Sequence, residues 1–149
     1  MVSLLGLIDG QHQGHDSGDS IRNLNYRDIR GRKTVMDDPD MGRWVYAYNG
    51  FGELVTQTDA KGQTVTMVYD KLGRMISRSE PEGASTWTYD TAVKGVGKLA
   101  RETAPGGYVR THTYDSLGLP AQTTDTIATI ASQSSYTLST TYDTFSRVS

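Results

Sequence analysis

Large, mostly apolar or aromatic side chains alternate with small polar ones along most of this chain. In one stretch Val65, Met67 and Tyr69 alternate with Thr64 and Thr66. A period of two, with large residues on one face and threonine on the other, is typical of a half-buried antiparallel strand. The pattern therefore predicts strands whose tyrosines form a cross-strand ladder. The equivalent large residues elsewhere are Trp44, Tyr46 and Tyr48; Trp87 and Tyr89; Tyr108, Arg110, His112 and Tyr114; and Tyr136, Leu138 and Tyr142.

A helical period is not evident in the chain. The best helical candidate, 125–133, is rich in threonine and isoleucine, which disfavours a helix. The fold class predicted is all-β: an antiparallel strip of β-hairpins, arranged as a meander or a solenoid-like spiral sheet. Residues 1–25 are expected to form a polar, partly flexible N-terminal segment, and 26–149 a set of tandem repeats. The longest connection, 126–135, lacks glycine and proline and is expected to be a mobile loop.

A turn motif separates the predicted strands. Its clearest copy reads Tyr-Asp-Lys-Leu-Gly-Arg over residues 69–74, with further copies at residues 48, 89, 114 and 142 and a degenerate one at 27–32. Gly73 can adopt a positive φ without steric cost, and the Asp70 carboxylate can accept hydrogen bonds from amides two residues on. A four-residue loop ending in glycine between two β-prone runs predicts a hairpin turn.

The apolar residue inside each copy is interpreted as a plug that tucks under the turn. This position is held by Leu72, Phe51, Leu117 and Phe145. Because six related copies occur, the repeat must be interpreted before any single residue. The structural repeat positions are Tyr48, Gly52, Tyr69, Asp70, Gly73, Arg74, Tyr89, Asp90, Gly97, Tyr114, Asp115, Gly118, Tyr142 and Asp143.

The motif resembles the YD-repeat (RHS-repeat) family, and the resemblance covers about residues 26–149. The family includes bacterial Rhs proteins, the C components of Tc toxins and, more distantly, animal teneurins. The resemblance implies a long β-strip that spirals into a shell around a toxin or effector cargo domain, in a protein that is secreted or displayed on the bacterial surface. It also implies flanking repeats of the same kind, since each repeat buries its faces against its neighbours.

One family feature does not carry over. Family members end the shell in an aspartyl autoprotease core rich in Asp-Pro and Gly. Here the sequence Asp-Pro at residues 38–39 continues as Asp-Met-Gly and falls in the first repeat, so autoproteolysis is not expected.

Composition excludes several classes of function. The 149 residues suit one domain, and a net charge of −2 with no basic stripe argues against a nucleic-acid partner. Cysteine is absent, so neither disulfides nor thiolate metal sites are possible. The apolar run 1–8 is too short for a signal-peptide core, and no stretch has the length of a membrane span.

Few residues offer chemistry. His12, His15 and Asp16 have a spacing that could bind a metal, but on a glycine-rich tail a solvated segment is the better interpretation. The acidic cluster 37–40 lacks the EF-hand pattern and suits a turn. His112 lies on the aromatic face and is interpreted as a packed ladder residue. No metal site, cofactor or enzymatic activity is predicted.

Two functions remain open. The first is a structural role as a shell wall; the alternative is a module that binds carbohydrate or a cell-surface partner through the aromatic face, with Trp44 and Trp87 as candidates. The chain is also expected to self-associate, because the strands 32–36 and 147–149 are expected to present open sheet edges.

Overall fold

The computed structural model describes residues 23–128 and 133–149. The N-terminal 22 residues, including His12, His15 and Asp16, and the centre of the predicted mobile loop lie outside the described ranges. In the described ranges the single helical element is a short 3₁₀ turn at Pro105–Gly107, and every other regular element is a strand. None of the helical structure there is long and apolar enough to cross a bilayer.

Eleven strands succeed one another in the sheet in chain order, with antiparallel pairing between neighbours. The prediction of an all-β strip of antiparallel hairpins is therefore confirmed. The strands are β1 (Leu24–Arg27), β2 (Lys33–Asp38), β3 (Gly42–Tyr48), β4 (Leu54–Thr58), β5 (Thr64–Tyr69), β6 (Met75–Glu80), β7 (Gly83–Tyr89), β8 (Leu99–Ala104), β9 (Tyr108–Tyr114), β10 (Pro120–Ala128) and β11 (Gln133–Ser139).

The chain divides into two compact units, Met1–Val65 and Thr66–Ser149. In the first unit β2 lies between β1 and β3, with Val35 opposite Tyr26 on one side and Val45 on the other. The expectation that 32–36 forms an open edge is therefore wrong. The short strand β1, which sequence analysis did not separate from its turn, covers that edge.

In the second unit the predicted loop at 126–135 is largely strand. Thr126 pairs with Ser135 and Ala128 with Gln133, so β10 and β11 extend into the segment from both sides. The reason is the run of threonine and isoleucine, whose branched side chains favour an extended backbone. At the other predicted edge, 147–149, the structure has only an isolated bridge between Tyr142 and Val148.

Burial is shallow throughout the described ranges. The only buried apolar side chains there are Met36, Met67 and Ala100, and the tyrosines that end β3, β5, β7 and β9 are half-buried. The predicted alternation holds in β5, where Thr64 and Thr66 are exposed and Met67 is buried. It fails in β11, where Tyr136 and Leu138 are 65% and 70% exposed.

The Tyr-Asp turns have the predicted backbone. Gly73 has a φ of 76°, the Asp70 amide donates to the Arg74 carbonyl at 2.9 Å, and the Gly73 amide donates to the Asp70 carbonyl at 3.1 Å. The same two bonds occur in the turns that begin at Asp28, Asn49, Asp115 and Asp143. In the last turn Ser146 takes the glycine position with a φ of 60°.

The apolar residue of each turn is not a plug. Leu72 is 74% exposed, Phe51 93%, Leu117 76% and Phe145 75%. The reason is that the carboxylate of the turn occupies the inside: Asp70 Oδ1 accepts the amides of Leu72 and Arg74. With the inner space filled by a carboxylate, the apolar side chain points outward.

Replacing Gly73 by alanine should destabilise the fold by roughly 1 to 2 kcal/mol, because a side chain disfavours a positive φ. Gly50 is the matched control, since its φ is not positive and an added Cβ would meet nothing within 4 Å. Urea unfolding of Gly73→Ala and Gly50→Ala measures the difference. Equal midpoints and slopes for the two variants would contradict the turn assignment.

Candidate functional site: the edge formed by the Tyr-Asp turns

Most of the Tyr-Asp turns are closed by the carboxylate of their own aspartate. Asp70 Oδ1 accepts the amides of Leu72 at 2.8 Å and Arg74 at 3.0 Å, and Asp70 Oδ2 accepts the Arg74 Nε–H at 2.7 Å. The arrangement recurs between Asp28 and Arg32 and between Asp143 and Arg147. One residue type therefore both caps the loop backbone and holds the cation that follows it.

Two turns reach the same backbone with other side chains. In the turn at 48–53, Asn49 takes the position of the aspartate and Glu53 that of the arginine. Donor and acceptor are exchanged there, because the Asn49 side-chain amide donates to the Glu53 carboxylate at 2.6 Å. Asn49 Oδ1 still accepts the amides of Phe51 and Glu53. In the turn at 114–119 Asp115 keeps the amide bonds although Leu119 supplies no cation. The amide bonds are thus the constant part of these five turns, whereas in the longer turn at 89–98 Asp90 Oδ1 accepts the Gly97 amide.

The cation of a turn also reaches the next turn along the edge. Arg74 Nη2 lies 2.6 Å from Asp90 Oδ2, and the guanidinium carbon of Arg74 lies 4.3 Å from the centre of the Tyr89 ring. In the first unit the Arg32 guanidinium lies 4.7 Å from the Tyr48 ring centre. Contacts of this kind between a cation and a ring face are attractive because the face carries negative charge.

Lys98, which ends the longest turn, also contacts the tyrosine ring and the backbone of the next turn. Its ammonium lies 5.1 Å from the Tyr114 ring centre and donates to the Gly118 carbonyl of the following turn. The insertion between Asp90 and Lys98 therefore lengthens the loop without removing the contact with the next hairpin.

The tyrosine hydroxyl supplies a second link between hairpins. Tyr48 donates to the Lys33 carbonyl at 2.8 Å, Tyr114 to the Leu99 carbonyl at 2.7 Å and Tyr142 to the Pro120 carbonyl at 2.9 Å. In each case the acceptor is the residue directly after the previous Tyr-Asp turn. Each of these tyrosines is thus bonded to the hairpin before it as well as to its own strand.

The turn carboxylates have lowered pKa values. Partial desolvation raises the pKa of Asp70, but bonds from the Arg74 amide and guanidinium and from the Leu72 amide outweigh it and hold the pKa below its ordinary value. The pKa of Asp90 is lowered mainly by the Arg74 guanidinium and then by the Gly97 amide. Burial raises the pKa of Tyr114. All three shifts favour the protonation states that make these bonds near neutral pH.

Sequence reasoning selected the turn residues but missed how they connect. The tyrosine pattern predicts a stacked ladder, whereas in the structure Tyr48, Tyr114 and Tyr142 make hydroxyl bonds to the preceding hairpin. Arg74 was named as a repeat position, but no contact was predicted for it. A signal was available, because a basic residue follows the turn glycine, or its serine, at Arg32, Arg74, Lys98 and Arg147.

A separate polar cluster lies on one face of β8 to β10. Arg110 is bonded to Asp125 and lies 3.5 Å from Glu102, and the Tyr108 hydroxyl donates to Asp125 at 2.9 Å. The expected aromatic face is therefore partly ionic in this part of the sheet. Because opposite charges sit directly across neighbouring strands, the cluster favours the observed register.

His112 lies beside this cluster. Its Nδ1 is 3.2 Å from Thr123 Oγ1, and its Nε2 is buried without a hydrogen-bond partner in the described part of the chain. A cleft of about 390 Å³ is lined by His112, Arg110, Asp125, Tyr136 and neighbouring residues. His112 is therefore half-packed against polar groups and not enclosed in an aromatic ladder.

The acidic cluster near residue 38 behaves as a turn. Asp38 Oδ1 accepts the amides of Asp40 and Met41, both at 2.9 Å, and Asp37 lies 3.2 Å from Arg43. In the described ranges, no group of three or more histidine or acidic residues is placed to hold a metal ion.

Comparison with known proteins agrees with the repeated turn. Residues 48–85 match the family model described as RHS Repeat. The segment 48–85 is therefore similar to an RHS repeat. The matched segment runs from the tyrosine of one Tyr-Asp turn through the whole of the next, so the RHS-repeat resemblance inferred from the motif is confirmed.

Two curated relatives are toxins. The chain is 38% identical over 77 residues to double-stranded DNA deaminase toxin A of Burkholderia cenocepacia (strain H111), covering 52% of the chain and 5% of the relative. It is 39% identical over 75 residues to toxin protein Tse5 of Pseudomonas aeruginosa (strain PAO1), covering 48% of the chain and 6% of the relative. The chain thus spans about a twentieth of each relative's length.

Solved structures share the fold. The crystal structure of TcdB2-TccC3 superposes on 85% of the chain with a TM-score of 0.68 and 17% identity, and the chain covers 8% of that structure. TcdB2-TccC3-TEV gives a TM-score of 0.65, also at 17% identity over 85% of the chain and 8% of that structure. At such identities the likeness supports the β-strip fold alone.

The lowered carboxylate pKa values predict acid sensitivity. A group whose pKa is lower in the folded state contributes stability above its unfolded pKa and loses it as the pH falls through the folded value. Melting temperature should therefore hold near neutrality and fall as the pH drops below 3.8, the ordinary aspartate value.

Asp70→Asn tests the cause of this acid sensitivity, because Asn49 shows that an amide can keep both backbone bonds. The variant should melt lower than the parent chain at pH 7, yet lose less on acidification. Asp70→Ala, which removes the amide bonds too, should melt lowest. Identical acid sensitivity in the parent chain and in Asp70→Asn would show that this carboxylate does not stabilise the turn.

Proposed function

We propose that these repeats form part of the wall of a β-sheet shell that encloses a toxin or other effector domain in the protein that carries them. The proposed role is structural and not catalytic. The observation that carries it is the linkage along the turn edge, where Arg74 and Tyr114 bind groups of the adjacent hairpins. Such links allow a sheet to be extended hairpin by hairpin without a second layer.

The chemistry of the turn edge suits this role. Arg74 is shared between Asp70 and Asp90, and its own pKa is raised by both carboxylates. A guanidinium held by two carboxylates is a poor acid or nucleophile, but it joins the two turns that carry those carboxylates. The relatives named as toxins support a protein that is secreted or displayed at the bacterial surface, with neighbouring repeats and an effector as its partners.

A second candidate is carbohydrate or cell-surface binding, favoured by one feature. Tyr136 is 65% exposed and lines the cleft that also contains Arg110 and Asp125. An exposed ring beside a carboxylate offers stacking and hydrogen bonding to a sugar. Trp44 is less suitable, because it is half-buried and its indole N–H donates to the Met41 carbonyl. Glycan-array binding that Tyr136→Ala abolishes without unfolding would favour this candidate.

Limited proteolysis of the full protein that carries the chain tests the shell proposal. The effector should resist trypsin in the parent protein and become cleavable in Tyr114→Ala, which removes a bond between hairpins. Leu138→Ser is the matched control, because Leu138 is 70% exposed and its loss should leave protection unchanged. An effector that is cleaved equally fast in the parent, in Tyr114→Ala and as a separately produced domain would contradict an enclosing wall.

A further inference from the structure

The outward-pointing apolar residues of the second unit form a row along its turn edge. Leu72 is 74% exposed, Val93 82%, Val96 83%, Leu117 76% and Phe145 75%. We refer to these five side chains as the tip row. Isolated exposed apolar residues are ordinary, but several large ones along one edge of a sheet form a candidate interaction surface.

Bonds between neighbouring turns hold the tip row in place. Arg74 joins the turn that carries Leu72 to Asp90, in the turn of Val93 and Val96. Lys98 joins that turn to Gly118, next to Leu117. Tyr142, which opens the turn of Phe145, donates to the Pro120 carbonyl at 2.9 Å. The tips are therefore fixed side by side, and do not lie on independent loops.

The spacing of the row determines which partner fits it. Successive Tyr-Asp turns are two strands apart, and strands lie about 4.8 Å apart, so the tips recur about every 10 Å. A partner that covers all the tips at once needs apolar groups at the same interval. A second copy of this chain has that interval by construction.

From this spacing we propose that the tip row is a docking surface for the tip row of a second copy of the chain. A closed pair requires a two-fold axis, and an axis perpendicular to the rows runs them in opposite directions. In that arrangement Leu72 faces Phe145 of the other copy, and the turn with Val93 faces Leu117. Each side chain then meets a different partner from the one it would meet in a parallel arrangement.

Charge favours the same arrangement. The residues beside the tips are Lys71 and Lys94 at one end of the row and Ser116 and Thr144 at the other. Opposed rows place each lysine against a neutral hydroxyl residue. Parallel rows would place Lys71 against Lys71 and Lys94 against Lys94, and like charges in contact repel.

The size of the row sets the strength. Five side chains, each exposing on the order of 100 Å² or somewhat more, give roughly 1,000 to 1,200 Å² over both copies, which is the range of weak or transient interfaces. The pair should therefore form at high protein concentration and dissociate on dilution. This inference does not depend on the shell role, because it concerns copies of the chain and not an effector.

Sedimentation equilibrium of the 149-residue chain tests the proposal. The parent chain should shift from 16.3 kDa toward twice that mass as concentration rises. Leu72→Ser with Leu117→Ser should remain at 16.3 kDa, whereas Leu138→Ser, which changes an equally exposed leucine on the sheet face, should dimerise like the parent. Circular dichroism verifies that all three remain folded. A monomeric parent, or dimerisation unaffected by the double substitution, would overturn the proposal.

Cysteine mapping tests the direction of the two rows. The chain has no cysteine, so introduced thiols report alone. On mild oxidation, a mixture of Val93→Cys and Leu117→Cys chains should form mixed disulfide dimers in large excess over either variant by itself. Dimers that form equally well from Val93→Cys alone, or from Leu138→Cys alone, would rule out opposed tip rows.

Discussion

A sheet without a second layer must obtain its stability from contacts between neighbouring hairpins. In the described ranges Met36, Met67 and Ala100 are the only buried apolar side chains, so hydrophobic burial on either face is shallow. The polar contacts that connect hairpins beyond the strand ladder are concentrated where the Tyr-Asp turns lie. There a tyrosine hydroxyl bonds the carbonyl that follows the previous turn, and a cation of one turn rests on the ring of the next.

The turn separates a backbone requirement from a charge requirement. Oδ1 of Asp70, Asn49 or Asp115 accepts the two amides of the loop, whichever residue follows. The second side-chain atom is free to match its partner: a carboxylate for Arg74, an amide for Glu53. This division explains how the repeat tolerates changes at the fifth position of the turn while its backbone stays the same. It also explains why Asn49 and Glu53 occur together: a donor at the first position requires an acceptor at the second.

Sequence patterns predicted the backbone better than the contacts. The strand that contains Thr66 and Met67 and the positive φ of Gly73 both follow from local steric preferences. Such preferences can be inferred from the sequence of one repeat alone. The direction of Leu72 was predicted wrongly, because hydrophobicity suggested burial and the carboxylate of Asp70 already filled the turn. The role of Arg74 depends on Asp90, sixteen residues away, and so on the pairing of β6 with β7.

The errors about edges and loops have a similar origin. Residues 126–135 lack glycine and proline, which suggested a mobile loop, although threonine and isoleucine favour strands. The strand that covers 32–36 was overlooked because β1 has only four residues and little apolar character. Short strands are decided by the partner they find more than by their own sequence.

The claim that the hydroxyls of Tyr48, Tyr114 and Tyr142 tie their hairpins to the ones before them is tested most directly by removing one oxygen atom. Tyr114→Phe keeps the ring beneath Lys98 but loses the bond to the Leu99 carbonyl. Urea unfolding should show a loss of about 1 kcal/mol, the usual contribution of such a bond. Tyr136→Phe, at an exposed tyrosine in the same unit, should change stability far less. Equal effects of the two substitutions would contradict the account.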